Sequence, residues 1–488
     1  MSVETVLEKT PRDLFIGGSW VPASGGRTFD VDDPATGAVL CSVADATAAD
    51  GRAALDAAVA AQPGWAATPP RERGEVLRRA FELLMARQDD LALLMTSEMG
   101  KPLADSRSEI AYAAEFFRWF SEEAVRIDGG YQVAPNGAGR FLVMRQPVGP
   151  CLFVTPWNFP MAMGTRKIGP AIAAGCTSVI KPAHQTPLSM LALAAILQEA
   201  GLPDGVLNVV PAVAAGELME PLIRDGRARK LSFTGSTAVG KKLIEQSADQ
   251  VLRVSMELGG NAPLLVFDDA DLDKAVDGAM LAKMRNMGEA CTSANRIYAQ
   301  SGIAEEFGRR LAERMAALRV GHGIEDGVQV GPLIDAKART KVTELVDDAV
   351  ERGARVVLGG GAPTGEGYAG GYFYSPTVLT DVPTDARLAN EEIFGPVAPI
   401  SVFETEAQAL ELANNTEYGL VSYVFTTDLA RGLRMSEGLE TGMVGLNQGI
   451  VSNPAAPFGG VKHSGLGREG GSTGIDEFLE TKLVAIAL

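Results

Sequence analysis

From about residue 148 onward, short apolar runs alternate with longer stretches whose apolar positions recur at helical spacing. VGPCLFVTP reads as a strand, MGTRKIGPAIAAG as a helix, TSVIKP as a strand and PLSMLALAAILQEAG as a helix. GVLNVV, a polar helical stretch reaching Gly226, KLSFTG and TAVGKKLIEQSA continue the alternation. Strands separated by helices of this length predict βαβ units and a doubly wound parallel sheet. A second series opens near VSMELGGNAPLLVFDDA, with a helix from about Leu272 to Met287, a strand at NRIYAQ and a helix at AEEFGRRLAERMAAL. RVVLGG and VSYVFTT add later strands to it. The fold class is therefore α/β, with two doubly wound domains. Residues 50–124 are rich in alanine, leucine and arginine at helical spacing and read as helices covering the first sheet. GRFLVMRQ at 139–146 and ETKLVAIAL at the C-terminus belong to neither series. They are either edge strands or a small assembly element that pairs with the sheet edge of another subunit.

Length supports this division, because 488 residues exceed the roughly 250–300 at which single cores stop growing. The formal charge of −17, from 44 basic and 61 acidic residues, repels phosphate backbones and anionic lipid surfaces. Nucleic-acid and membrane-surface roles are thereby disfavoured. MSVETVLEKTPRD has no apolar stretch resembling a signal peptide, and MLALAAIL at 190–197 falls far short of the roughly 20 residues that span a bilayer. Four cysteines, Cys41, Cys151, Cys176 and Cys291, form neither a disulfide framework nor a CxxC metal site. Free thiols in a cytoplasmic protein, with no metal, are expected.

The candidate chemistry gathers at strand ends. TPWNFP at 155–160 holds Asn158 at the carboxyl end of a buried strand, where open α/β sheets bind ligands. VIKPAHQTP places Lys181 and His184 at the end of the next strand. GSTAVG at 235–240 stands between a strand and a helix, so its backbone amides suit a pyrophosphate, although glycines at such turns are often only steric. GLGREG at 465–470 matches the GxGxxG spacing but follows no clear strand and leaves too little chain for a βαβ unit. MELGG at 256–260 puts Glu257 before a tight turn, as a general base or as a cap. Cys291 in GEACTSAN is either an inert thiol or a nucleophile with no histidine near it in sequence.

TPWNFP, KPAHQTP, FTGSTAVG, MELGGNAP, GEACTSANR, EEIFGPV and APFGGVKHSGLGREGG occur in the order and approximate spacing of the aldehyde dehydrogenase superfamily. The chain resembles that superfamily over essentially its whole length. Within it, TRKIGPAIAAGC, ELGGNAPLLVFDDADLDKAV, GPLID and NQGIVSN are most similar to succinate-semialdehyde dehydrogenases. The resemblance implies NAD(P)-dependent oxidation of succinate semialdehyde to succinate. Cys291 would be the nucleophile, forming a thiohemiacetal and then a thioester; Glu257 would be the base and Asn158 an oxyanion donor. Thr155, Pro156, Trp157, Lys181, His184, Gly235, Ser236, Glu392 and Phe394 would bind the cofactor, and Arg166, Arg285 and Ser452 the distal carboxylate. It further implies a cofactor-binding domain at 1–125 and 147–258, a catalytic domain at 259–458, and an oligomerisation element with the C-terminal tail at 126–146 and 459–488. A homodimer or homotetramer follows.

Three positions depart from the pattern of these relatives. Glu289 stands where many carry glutamine, and Ser293 where some carry a second cysteine. His184 replaces the glutamate frequent in NAD-preferring relatives and the serine frequent in NADP-using semialdehyde enzymes, which leans the cofactor to NADP. The alternatives are another aldehyde, such as glutarate semialdehyde, or a catalytically silent relative, against which Cys291, Glu257 and Asn158 all stand.

Overall fold

The computed structural model describes residues 2–487. Its first sheet has eight strands, in the spatial order Gly465–Leu466, Arg253–Glu257, Lys230–Thr234, Cys151–Val154, Ser178–Lys181, Leu207–Val209, Leu14–Ile16 and Ser19–Val21. The five central strands are parallel, and the outer ones pair antiparallel. Cys151–Val154, Ser178–Lys181 and Lys230–Thr234 are buried almost throughout. Strands covered by helices on both faces read as continuous apolar runs, and these do. Phe153, Ile168, Ile180 and Leu193 share one core cluster with Phe116, Phe117 and Phe120 from the preceding helices.

Register sets the site. Val154 lies opposite Lys181, Phe233 opposite Val154, and Thr234 opposite Glu257, so the strands end at one level. The loops carrying Asn158, His184, Ser236 and Gly259 all leave from that edge.

A second sheet of seven strands runs Arg355–Leu358, Thr377–Thr380, Val397–Phe403, Ala294–Gln300, Ala262–Val266, Val421–Phe425 and Met443–Leu446. All its pairings are parallel except the first. Leu264, Ile297, Phe307 and Tyr423 belong to its core. GRFLVMRQ and the C-terminal segment pair with each other: Leu479–Ala487, Gly139–Pro147 and Gly130–Val133 make a separate antiparallel sheet. Leu488 of the C-terminal segment lies outside the described residues. Among the described residues, no helix is long and apolar enough to cross a membrane.

The helix expected to reach Met287 stops at Met284. A short turn, Arg285–Gly288, follows, in which Asn286 (φ 52°), Met287 (φ 57°) and Gly288 (φ 81°) are left-handed. A Cβ on Gly288 would lie 2.1 Å from the Gly395 carbonyl oxygen, so the turn passes too close to a neighbouring loop for any side chain there. The apolar spacing of Met284 and Met287 concealed this break. Leu14–Ile16 and Ser19–Val21 also went unread, because strands of three residues show no clear alternation.

Candidate active site

The carboxyl edge of the first sheet faces loops of the second across a cavity of about 260 Å³. Asn158, Glu257, Cys291, Arg285, Ser452 and Glu392 all line it. Cys291 arrives on the loop between the left-handed turn and the strand Ala294–Gln300. Lys283 and Asn295 close that loop, with Lys283 Nζ donating to Asn295 Oδ1 at 3.0 Å. Tyr423 adds a hydroxyl bond to the Thr292 carbonyl at 2.9 Å. Of the four free cysteines, Cys291 alone is partly exposed.

Its thiol is pushed up to about 12, first by burial, with Glu392 and Glu257 adding to the rise and Arg166 and Arg285 opposing it. The resting sulfur is therefore a thiol, and a base must take its proton before it can attack. Glu257, at the end of its strand, is 4% exposed, and its Oε2 has no hydrogen-bond partner among the described residues. Burial, and after it the charge of Glu469, raises its carboxyl well above the ordinary range. Glu469 is the opposite case. Burial disfavours its charge too, but Lys167 Nζ at 2.5 Å and Arg166 Nε at 2.7 Å hold it ionised below the usual value. Two neighbouring carboxyls are thus driven apart, leaving Glu257 the stronger base of the two.

Asn158 donates through Nδ2 to the Glu289 carbonyl at 3.0 Å. An amide nitrogen carries two hydrogens, so a second donor remains. The Asn158 carbonyl in turn accepts from Lys101 Nζ at 2.7 Å and from Asn286 Nδ2 at 3.0 Å.

At the cavity wall formed by Tyr112, Phe159 and Phe458, Arg285 Nη1 donates to Ser452 Oγ at 3.3 Å. Its guanidinium lies over Phe159 and Tyr112, at 5.1 and 5.5 Å from their ring centroids. Arg166 also lines the cavity but is only 2% exposed and directs Nε to Glu469, with its guanidinium 3.9 Å from the Phe458 centroid. Its charge is largely compensated within the wall, whereas Arg285 meets a neutral hydroxyl. The Nη2 group has no protein partner.

The expected cofactor residues divide into two groups. Pro156, Trp157, Gly235, Ser236, Glu392 and Phe394 line the cavity. Thr155, Lys181 and His184 do not, and sit instead along the strand ends beside it. Trp157 and Phe394 meet edge to face at 5.4 Å, and Phe394 is held left-handed at φ 58°. Burial lowers Lys181 to about 8 against the pull of Asp45. Burial also lowers His184, with Lys181 adding to the effect, so its ring is neutral near pH 7. Burial raises Glu392 to about 7, although Gly260 N donates to Oε1 at 3.2 Å.

This crevice suits a dinucleotide. Thr155 Oγ1 is buried without a partner, and Ser236 starts the helix Thr237–Ala248 with no side-chain cap on its first amides. A Cβ on Gly235 would fall 2.4 Å from the Phe233 ring, so the turn keeps its backbone uncovered.

Several buried polar groups behind the site were missed from sequence. Lys101 bonds Glu109 at 2.5 Å, and Glu109 Oε1 accepts from Met161 N and Ala162 N at 3.0 and 3.1 Å. The only visible signal was GKP at 100–102, a glycine-proline interruption between two helices.

The model of the aldehyde dehydrogenase family matches residues 20–484 of this chain. A succinate-semialdehyde dehydrogenase of Paenarthrobacter nicotinovorans is 58% identical over 449 residues, covering 92% of this chain and 99% of that protein. A glutarate-semialdehyde dehydrogenase of Pseudomonas putida is 51% identical over 477 residues, 98% of each. Among solved structures, one described as an E. coli NADP-dependent enzyme superposes with a TM-score of 0.96 at 51% identity, over 98% of both chains.

Proposed function

The chain belongs to the aldehyde dehydrogenase family, and from that premise we propose that it oxidises succinate semialdehyde to succinate with NADP as the preferred cofactor. The observation that carries this reading is the single cavity holding Cys291, Glu257 and Asn158 together with the Arg285–Ser452 pair. A thiol, a base, an amide donor and a cation in one pocket suit an aldehyde with a distal carboxylate.

In the proposed sequence Glu257 takes the Cys291 proton, directly or through water, and the sulfur adds to the carbonyl carbon. Negative charge then develops on the former carbonyl oxygen, where the free N–H of Asn158 and the Cys291 backbone N–H stabilise it. The bound dinucleotide supplies the acceptor for the hydride that leaves that carbon. Cys291 is left acylated. Glu257 first loses the cysteine proton to solvent and then accepts a proton from water, the hydroxide adds to the thioester, and the carbon–sulfur bond breaks to release the acid and the thiolate. Arg285 and Ser452 hold the far carboxylate throughout.

Lys181 and His184 support the cofactor preference. Neither carries a negative charge that would repel a 2′-phosphate, and the relative described as NADP-dependent shares 51% identity. Glutarate semialdehyde is the second reading, supported by relatives of that description from Pseudomonas putida and Pseudomonas aeruginosa, each 51% identical. We further propose a dimer or a tetramer of dimers built through the separate three-stranded sheet, acting in the cytoplasm, where free thiols persist.

A panel of aldehydes, assayed with both dinucleotides by reduced-cofactor absorbance, tests this. Succinate semialdehyde with NADP should give the highest kcat/KM, and His184→Glu should lower it for NADP far more than for NAD. At least tenfold better use of NAD by the wild type, with NADP activity unchanged in the variant, would refute the cofactor assignment.

A further inference from the structure

Two residues before the proposed nucleophile, Glu289 is completely buried, a place where carboxylates rarely go unpaired. Among the described residues its Oε1 accepts a single hydrogen bond, from Ile334 N at 3.2 Å, and Oε2 has no partner. Its main chain is heavily used: the Glu289 carbonyl accepts both Asn158 Nδ2, at 3.0 Å, and Asn286 Nδ2, at 2.9 Å. The side chain thus fixes one end of the Cys291 loop to the segment leading into helix Ala336–Glu351, while the backbone anchors the amide proposed to hold the oxyanion.

We infer that Glu289 is a positioning residue that works as the uncharged acid, and that losing its proton loosens both the Cys291 loop and Asn158. The inference rests on the proposed roles of Cys291 and Asn158. The charged groups facing this carboxyl are Lys101, from the junction between helices Gln88–Met99 and Leu103–Glu123, and Asp335, the cap of Ala336–Glu351. Lys101 cannot compensate a second anion fully. Its ammonium is already bound to Glu109 at 2.5 Å and to the Asn158 carbonyl at 2.7 Å, and sits 4.4 Å from the Phe159 centroid. Asp335 opposes ionisation outright. In agreement, burial raises the Glu289 carboxyl well above the ordinary range. Glutamine at this position would keep the shape and hydrogen-bond acceptor without a titrating proton.

A consequence for stability has a fixed sign. The unfolded carboxyl titrates near 4.3 and the folded one higher, so folding takes up a proton. The site therefore destabilises the fold progressively as pH rises from about 4.3 through the folded value. Glu289→Gln removes that loss.

The test compares kcat–pH profiles and thermal midpoints of wild type, Glu289→Gln, Glu289→Ala and Cys291→Ala, with dinucleotide and aldehyde saturating. Glu289→Gln should match wild type near neutrality, within about threefold, and keep its kcat to higher pH, with a higher thermal midpoint in alkaline buffer. Glu289→Ala should lower kcat by up to about 100-fold at every pH, the order of loss expected when a catalytic group is displaced by about 1 Å, with KM for the dinucleotide unchanged. Identical alkaline falls in wild type and Glu289→Gln, or full kcat in a folded Glu289→Ala, overturn the inference. An active Cys291→Ala would instead overturn the proposed nucleophile, so the two failures are separable.

Discussion

Arg285 and Arg166 line the same cavity, yet their surroundings assign them different work. Arg285 is bonded to a neutral hydroxyl and stacked near two rings, which leaves its charge available to a substrate anion. Arg166 is paired with Glu469, which itself acts on Glu257. Arg285→Gln should therefore lower kcat/KM for succinate semialdehyde roughly 10- to 150-fold, the equivalent of about 1.5–3 kcal/mol for a hydrogen bond to a charged group. With butanal, which has no carboxylate, the penalty should vanish. Arg166→Gln should slow both substrates, because it exposes Glu257 to a less compensated Glu469. Steady-state kinetics with the two aldehydes checks both, and an equal penalty for both in Arg285→Gln would remove that residue from carboxylate recognition. At this scale, the residues visible in sequence were those that break a pattern: Asn158, Lys181 and Glu257 are polar side chains at the ends of apolar strands. Lys101 and Glu109 were invisible because charged residues flanking or within a helix read as solvated, and the contact from Lys101 to Asn158 spans 57 positions.

Among elements, the loop before Ala294–Gln300 and the separate antiparallel sheet matter most. The strand–helix alternation was readable because buried parallel strands are continuously apolar. The left-handed turn at Asn286 and Met287 was not, since methionine rarely takes that conformation and the helical spacing runs past the single asparagine that favours it. The antiparallel sheet has an apolar surface with Tyr131 66%, Val133 54% and Leu483 59% exposed. Exposed apolar patches on a sheet of this kind fit association with another copy. Removing residues 480–488 takes away nearly all of the strand Leu479–Ala487 and should shift light-scattering mass toward smaller species. A native protein that is monomeric and fully active would refute the proposed assembly.

At the scale of the molecule, an acidic chain of net charge −17 is proposed to admit an anionic aldehyde and an anionic cofactor. It can do so because the cations are local: Arg285, half-buried in the cavity wall, and Lys181, buried at the crevice. The same enclosure raises Cys291 to about 12 and raises Glu257, so the nucleophile rests as a thiol beside a carboxylate made more basic by burial. The central claim is that Cys291 is acylated by the oxidised substrate and released by Glu257. Intact-mass spectrometry of Glu257→Gln, mixed with NADP and succinate semialdehyde and quenched in acid, measures this directly. In the variant, water can still take the Cys291 proton slowly while hydrolysis of the thioester stalls, so the account predicts a succinyl adduct that builds up, maps to Cys291 and is absent from the double variant Cys291→Ala/Glu257→Gln. Undiminished turnover of Glu257→Gln with no adduct, or an adduct on any other residue, would contradict it.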